Sequence, residues 1–194
     1  MRLEKLRSIE LTRRQKRLWG ALEFLIRLLI LSIPLYLVLM LAVDLSPLQH
    51  AVATHSASLL KALGYNVFQD GYYIIVGTIQ NPFYFMINED CTGWKSMLFL
   101  FALIFAVPRI AMKKRILGLV IGLPIVWVGN LMRVLGVVMA EAAWGLDFAL
   151  VLHDYGYRLG LVALVLIIWV VWLKLSRKEK KNVWGRLSDL FRLR

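Results

Sequence analysis

The chain contains one cysteine, Cys91, in the stretch Asn88-Glu89-Asp90-Cys91-Thr92-Gly93-Trp94-Lys95-Ser96. A lone cysteine in an apolar chain is ordinarily a small apolar side chain. This one opens an apolar run, where a helix N-terminus would offer unpaired backbone N–H groups to a thiolate. Lys95 would help; Glu89 and Asp90 would oppose, and the sequence leaves that balance open. Arg133 stands in Gly129-Asn130-Leu131-Met132-Arg133-Val134, inside another apolar run. Such an arginine either snorkels to headgroups or lines a functional site. Asn130, three residues earlier and on the same helical face, favours the site. His153, in Leu152-His153-Asp154-Tyr155, precedes the last apolar run. Alone it reads as a loop histidine. Together, a thiol, an imidazole and a guanidinium are the parts of a nucleophile, a general base and a binder of an oxyanion or carboxylate. A single cysteine excludes an intrachain disulfide and any Cys-rich metal site. His50 and His55 are five apart, on different faces of a helix. No H-E-x-x-H, G-x-S-x-G or P-loop pattern occurs. The expectation is no metal and no cofactor.

The elements that must carry these residues follow from composition. Of the 194 residues, 60% are hydrophobic, against about 45–50% in a soluble chain. The excess is gathered in long runs, so disorder is excluded and lipid is the solvent. The length fits a single domain. The net charge of +12 would point to nucleic acid in a soluble protein. In a membrane protein it marks cytoplasmic flanks, and no nucleic-acid partner is expected.

The reading along the chain is as follows. Residues 1–21 form a cytoplasmic basic flank. Residues 22–43 form an uncleaved first span, in which Glu23 and Arg27 pair four residues apart and Pro34 introduces a kink. Residues 44–90 are extracytoplasmic. Within them, Ser46-Pro47 reads as a helix start and Gly64 as a stop, predicting a surface helix over 47–63. Asp70-Gly71 and Asn81-Pro82 punctuate Tyr65–Asp90 into two or three short strands, a small β-hairpin segment outside the lipid. Further spans are expected over 92–111, 116–140 and 157–173, the third containing Gly118-x-x-x-Gly122, a close-packing signal. The tail, 174–194, is basic and cytoplasmic, with an interfacial stripe over Val183–Leu193. The fold class is therefore an all-α integral membrane protein: about four transmembrane helices, an interfacial helix and a small extracytoplasmic β segment.

Orientation follows from charge. The N-terminal flank, the 109–115 loop and the tail hold seven, four and eight Lys/Arg, whereas 44–90 holds one, Lys61, and 140–153 none. The positive-inside rule then puts both termini in the cytoplasm. Cys91, Arg133 and His153 fall in one outer layer, and the thiol is expected to be reachable from outside the cell.

The ordered set of Cys91-Thr92-Gly93 near a helix start, Asn130-x-x-Arg133 in the next span, and His153 before the last resembles the exosortase/archaeosortase family. The resemblance covers roughly Tyr65–Trp172. Many members have more N-terminal spans, so the chain looks like a compact version. The resemblance implies a membrane-embedded cysteine transpeptidase of the cell membrane. Its partners would be exported proteins ending in a short motif, a transmembrane helix and a basic tail, with a membrane lipid amine as acceptor. Cys91 would be the nucleophile, His153 the general base and acid, and Arg133 the stabiliser of the oxyanion or thiolate. Asn130, Thr92 and Gly93 would support them. The Tyr65–Asp90 strands would hold an extended substrate by edge pairing.

Two other classes compete. One is a non-enzymatic membrane scaffold or transporter subunit. A transporter favours polar groups near the midplane and broken helices in a repeat, and the polar groups here cluster towards one face. The other is a cysteine-dependent acyltransferase acting on lipid.

Overall fold

The structure is a computed structural model and describes residues 12–78, 81–153 and 157–192. The expected flank over 1–11 and Asp154–Gly156 lie outside the described residues. So do the side chains of the Val183–Leu193 stripe.

The protein is mostly helical. Helix α1 (Arg13–Leu31) leads into α2 (Ile33–Met40), and the two are broken at Ser32, with Pro34 in the first turn of α2. Helix α3 (Ser46–Ala62) precedes three strands, β1 (Val67–Asp70), β2 (Tyr73–Thr78) and β3 (Asn81–Met86). A 3₁₀ turn over Glu89–Thr92 delivers the chain to α4 (Trp94–Ala106). Helices α5 (Met112–Trp144), α6 (Leu146–Val151) and α7 (Tyr157–Arg192) follow. Among the described residues, three stretches are long and apolar enough to cross a membrane: Arg14–Met40, Met112–Trp144 and Leu159–Arg177. The Glu23–Arg27 pair forms as expected, at 2.6 Å.

Helix α4 is shorter than the run assigned to it from sequence. Its 13 residues rise roughly 20 Å, against a hydrocarbon core of about 30 Å. Pro108 cannot continue the helix, and Arg109 takes a left-handed backbone, φ 62°. The carbonyls stranded at this end are taken by one side chain from α5. Arg115 donates from NH1 to Phe105 O (2.7 Å), from NH2 to Val107 O (2.8 Å) and from Nε to Ile110 O (3.1 Å). A cation at a helix C-terminus also complements the helix dipole.

Helix α4 is the centre of the bundle, packed on α1, α5 and α7. Its Leu100, Leu103 and Ile104 meet Val126 of α5 and Leu161, Val165 and Trp172 of α7. The Gly118-x-x-x-Gly122 signal is used here. A Cβ on Gly118 would lie 2.4 Å from the Trp172 indole nitrogen, which donates to Lys114 O at 2.9 Å.

The second core lies at the other end of α5. The strands form an antiparallel sheet in the order β1-β2-β3, with Gly71 (φ 60°) in the first hairpin. Ile74 and Val76 of β2 face inwards with Phe83 and Phe85 of β3. Helix α3 packs beneath β1 and against the 3₁₀ turn, bringing Val52, Ala53 and Leu60 onto Leu131, Val134, Leu135 and Val138 of α5. The start of α3 differs from expectation in one detail: Ser46 is already the first helical residue, Leu45 holds the N-cap position without a side-chain bond, and the entry is steadied by Asp44. Its carboxylate accepts from Ser46 N (2.9 Å) and Ser46 Oγ (3.0 Å), which lowers its pKa below the ordinary aspartate value. The contribution is present at neutral pH and is lost as acid protonates Asp44. His50 and His55 pack their rings edge-on against Tyr72 and Trp127.

Arg115→Ala strands three carbonyls at the end of α4. A buried carbonyl left without a donor costs about 1–3 kcal/mol. Thermal unfolding in detergent should show a fall of at least that size. Arg115→Lys should recover only part of it, because one ammonium cannot fork to three acceptors.

Candidate active site

The site begins with the turn that joins β3 to α4. Asn88 precedes it, and both its backbone and side-chain oxygens accept from Cys91 N at 3.0 Å. Thr92 Oγ1 donates to Glu89 O at 2.7 Å and closes the same turn. Gly93 then takes φ 76°, a left-handed conformation that reverses the chain into α4. Cys91 and Thr92 are thereby buried at the head of α4.

Helix α5 holds this turn. Asn130, wholly buried, donates from Nδ2 to Cys91 O at 2.7 Å. It also presses on Gly93, where a Cβ would stand 2.9 Å from Asn130 Cγ. One turn on, Arg133 donates from NH1 to Asp90 O at 3.1 Å. Its other terminal nitrogen, NH2, lies 3.2 Å from His153 Nε2. Cys91 Sγ lies 3.6 Å from that same Nε2.

His153 reaches this position because the chain folds back after α5. Gly145 (φ 85°) makes the turn, and α6 returns along α5, seating Ala149 on Val137 and Ala140. His153 follows α6 directly. The three side chains singled out in the sequence therefore meet at one atom, the histidine Nε2. Asn130, Thr92 and Gly93 contact or close the turn around them.

Two features differ from the sequence-based expectation. First, Cys91 is only 2% exposed. Helix α3 lies over the turn, so the thiol belongs to the apolar core of Val52, Ala53, Leu60 and Val134 rather than to an open surface. Second, Lys95 and Asp90, read from sequence as opposing influences on the thiol, form an ion pair. Lys95 Nζ donates to Asp90 Oδ1, pairing the two charges with each other at a half-exposed position. Asn88 was missed, although an asparagine three residues before the buried turn position is an N-cap signature.

The electrostatics are unusual. Arg133 is 6% exposed, and among the described residues no carboxylate pairs with it. Its Nε, like Asn130 Oδ1, is buried with no hydrogen-bond partner. An arginine can only donate, so Nε2 of His153 must accept. The imidazole lone pair therefore points at both the guanidinium and the thiol.

Gly93→Ala tests how tightly the turn is held. It adds a clash with Asn130 to a left-handed strain of about 1–2 kcal/mol. Unfolding measurements should show a loss exceeding that strain. In Gly93→Ala/Asn130→Ala the contacts with Asn130 Cγ and Oδ1 are removed, while the 3.1 Å approach to the Cβ of residue 130, the strain and the unpaired Cys91 carbonyl remain.

No curated protein and no solved structure matches this chain. A family model described as transmembrane exosortase (EpsH) matches residues 8–173, a stretch that contains the turn, Asn130 and Arg133 of α5, and His153. With most of its length matched, the chain belongs to the transmembrane exosortase family.

Proposed function

We propose that the protein is a membrane cysteine peptidase and transpeptidase that cleaves a C-terminal sorting signal from exported proteins. The observation that carries this reading is the convergence of Cys91 Sγ and Arg133 NH2 on His153 Nε2, at 3.6 and 3.2 Å. Family membership supports the same class of chemistry.

In the proposed reaction, the thiol proton of Cys91 passes to Nε2 of His153. The sulfur forms a bond to a peptide carbonyl carbon, and the carbonyl oxygen becomes an oxyanion. Once Nε2 carries a proton it no longer accepts from Arg133, and NH2 is released to donate to the oxyanion. Collapse breaks the C–N bond. His153 gives its proton to the departing amine, leaving a thioester on Cys91. An incoming amine, taken to be a membrane lipid amine, or water attacks the thioester and passes its proton to His153, and the Cys91 thiol is restored.

The proposed setting is the plasma membrane, with both termini cytoplasmic and the site at the extracytoplasmic face. The charge distribution supports this. So does the length of α5: Arg133 is 21 residues from Met112, a rise of roughly 32 Å, about the full hydrocarbon thickness. The substrate is an exported protein ending in a short motif, an apolar helix and a basic tail.

The test is cleavage of a tagged, exported reporter with such a C-terminus, at equal enzyme levels in membranes. Cys91→Ala should abolish it, and His153→Ala should slow it by about 10²–10⁴-fold. Cleavage by the Cys91→Ala variant at the wild-type rate would remove the covalent mechanism.

Arg133→Lys separates a catalytic guanidinium from a headgroup anchor. Lysine snorkels almost as well as arginine, but it cannot bond Asp90 O and His153 in one fixed plane. The expected loss is about 10²–10³-fold, the usual cost of removing an oxyanion donor. A rate within about twofold of wild type would make Arg133 an anchor.

A further inference from the structure

The register of the sheet leaves one edge open, and that edge runs into Cys91. Ile87 N donates to Tyr72 O at 3.0 Å, and Gly77 N donates to Asn66 O at 3.1 Å. In an antiparallel ladder the bonded positions alternate. With the observed pairing, residues 74, 76 and 78 of β2 bond β3, and residues 73, 75 and 77 bond β1. On β3 it is Asn81, Phe83 and Phe85 that bond inwards. The main-chain groups of Pro82, Tyr84 and Met86 therefore point away from the sheet.

The two outer edges are not equivalent. β1 lies against α3. β3 has a strand on one side only, and its Tyr84 and Met86 are 66% and 48% exposed. Open edges invite unwanted pairing, and proline is a common block. Here Pro82 removes the outward donor from the far half of β3. The outward N–H groups that remain are those of Tyr84 and Met86, in the half nearest the site. Met86 is five residues before Cys91, at most about 17 Å of extended chain.

We infer that the β3 edge at Tyr84 and Met86 is the substrate-binding strand: it takes an extended peptide segment of the protein being cleaved, by main-chain pairing, and leads its scissile bond to Cys91. This rests on the peptidase reading above. The N–H and C=O groups of Tyr84 and Met86 supply the pairing, and the C=O of Pro82 adds a further acceptor. A bond made main chain to main chain holds the peptide without reading its side chains. The exposed side chains of Tyr84 and Met86 flank alternate residues of the bound segment.

Tyr84→Pro is the direct test, because the N–H it removes bonds nothing within the sheet. Tyr84→Ala removes the side chain and keeps the N–H. Cleavage of the tagged reporter should fall about five- to tenfold in Tyr84→Pro, the cost of a lost hydrogen bond or slightly more, as a rise in KM. Tyr84→Ala, which keeps the N–H, should lose less activity than Tyr84→Pro. Equal rates for the two variants would overturn the inference.

A second measurement does not depend on turnover. In Cys91→Ala/Tyr84→Cys the only thiol sits on the β3 edge. Reporters carrying single cysteines upstream of the cleavage point should form disulfides with it at every second position, because strand side chains alternate. Trapping that is uniform or absent would overturn the inference. So would a disulfide between two copies of the enzyme in place of the reporter, which would assign the edge to self-association. Alternating trapping by Cys91→Ala/Tyr84→Cys, together with no cleavage of the reporter by the wild-type protein, would instead sink the peptidase reading and leave the strand site standing.

Discussion

Everything near the thiol depends on two carbonyl groups that secondary structure cannot satisfy. The chain must leave β3 and enter α4 within a few residues, and the break leaves the carbonyls of Asp90 and of the buried Cys91 to be met by side chains. Helix α5 supplies both donors, Arg133 to the first and Asn130 to the second. Asn130 would suffice in kind for each of them. A neutral amide satisfies a carbonyl at modest cost, whereas desolvating a guanidinium costs several kcal/mol. A hydrogen bond to a charged group returns about 1.5–3 kcal/mol. One such bond to Asp90 does not offset the burial of Arg133, and among the described residues no carboxylate does either. The charge is therefore poorly explained as structure. Its second bond, to His153, is what a neutral donor of Asn130's length would not provide in the same plane.

The opposite end of α4 repeats the pattern. There Arg115, also on α5, takes the carbonyls of Phe105, Val107 and Ile110. From Arg115 to Asn130 along α5 is roughly 22 Å, and α4 rises roughly 20 Å. One long helix thus clasps one short helix at both ends by side-chain donors. The shortness of α4 is tolerable in an apolar setting because neither of its ends is left to find water. It also fixes the height of the Cys91 turn relative to Arg133, since both are referred to the same helix.

The legible parts of this molecule were those set by local pattern. The surface helix expected over 47–63 is α3, Ser46–Ala62, because Ser-Pro and Gly are strong local punctuation. The small sheet follows from Asp70-Gly71 and from aromatic, β-branched strands. The proximity of Cys91, Arg133 and His153 was legible because charge ordered the runs and put the three at one depth. What escaped were the pairwise choices. Arg115 counts as a loop cation in any tally, yet three carbonyls hold it. Lys95 and Asp90 read as opposing influences on a thiol, yet they form an ion pair with each other. Burial of Cys91 depends on α3 crossing above the turn, a contact between elements about 35 residues apart that no periodicity encodes.

The donor and acceptor logic at His153 links the resting state to the proposed reaction. With Arg133 donating to Nε2, that nitrogen faces the guanidinium at 3.2 Å and the thiol at 3.6 Å. Protonation by Cys91 replaces an attractive contact with two donors facing each other, so the arginine must find a new acceptor. Without a substrate, the described residues of the apolar cluster, Val52, Ala53, Leu60 and Val134, offer no side-chain acceptor, and the thiolate is the nearby one. With a peptide carbonyl at the sulfur, the developing oxyanion is the better acceptor, since it carries full charge and the guanidinium is already desolvated. Proton transfer, nucleophilic attack and the turning of Arg133 then favour one another. In the proposed reaction, a buried thiol with a displaceable arginine keeps the cysteine quiet until an acyl group arrives.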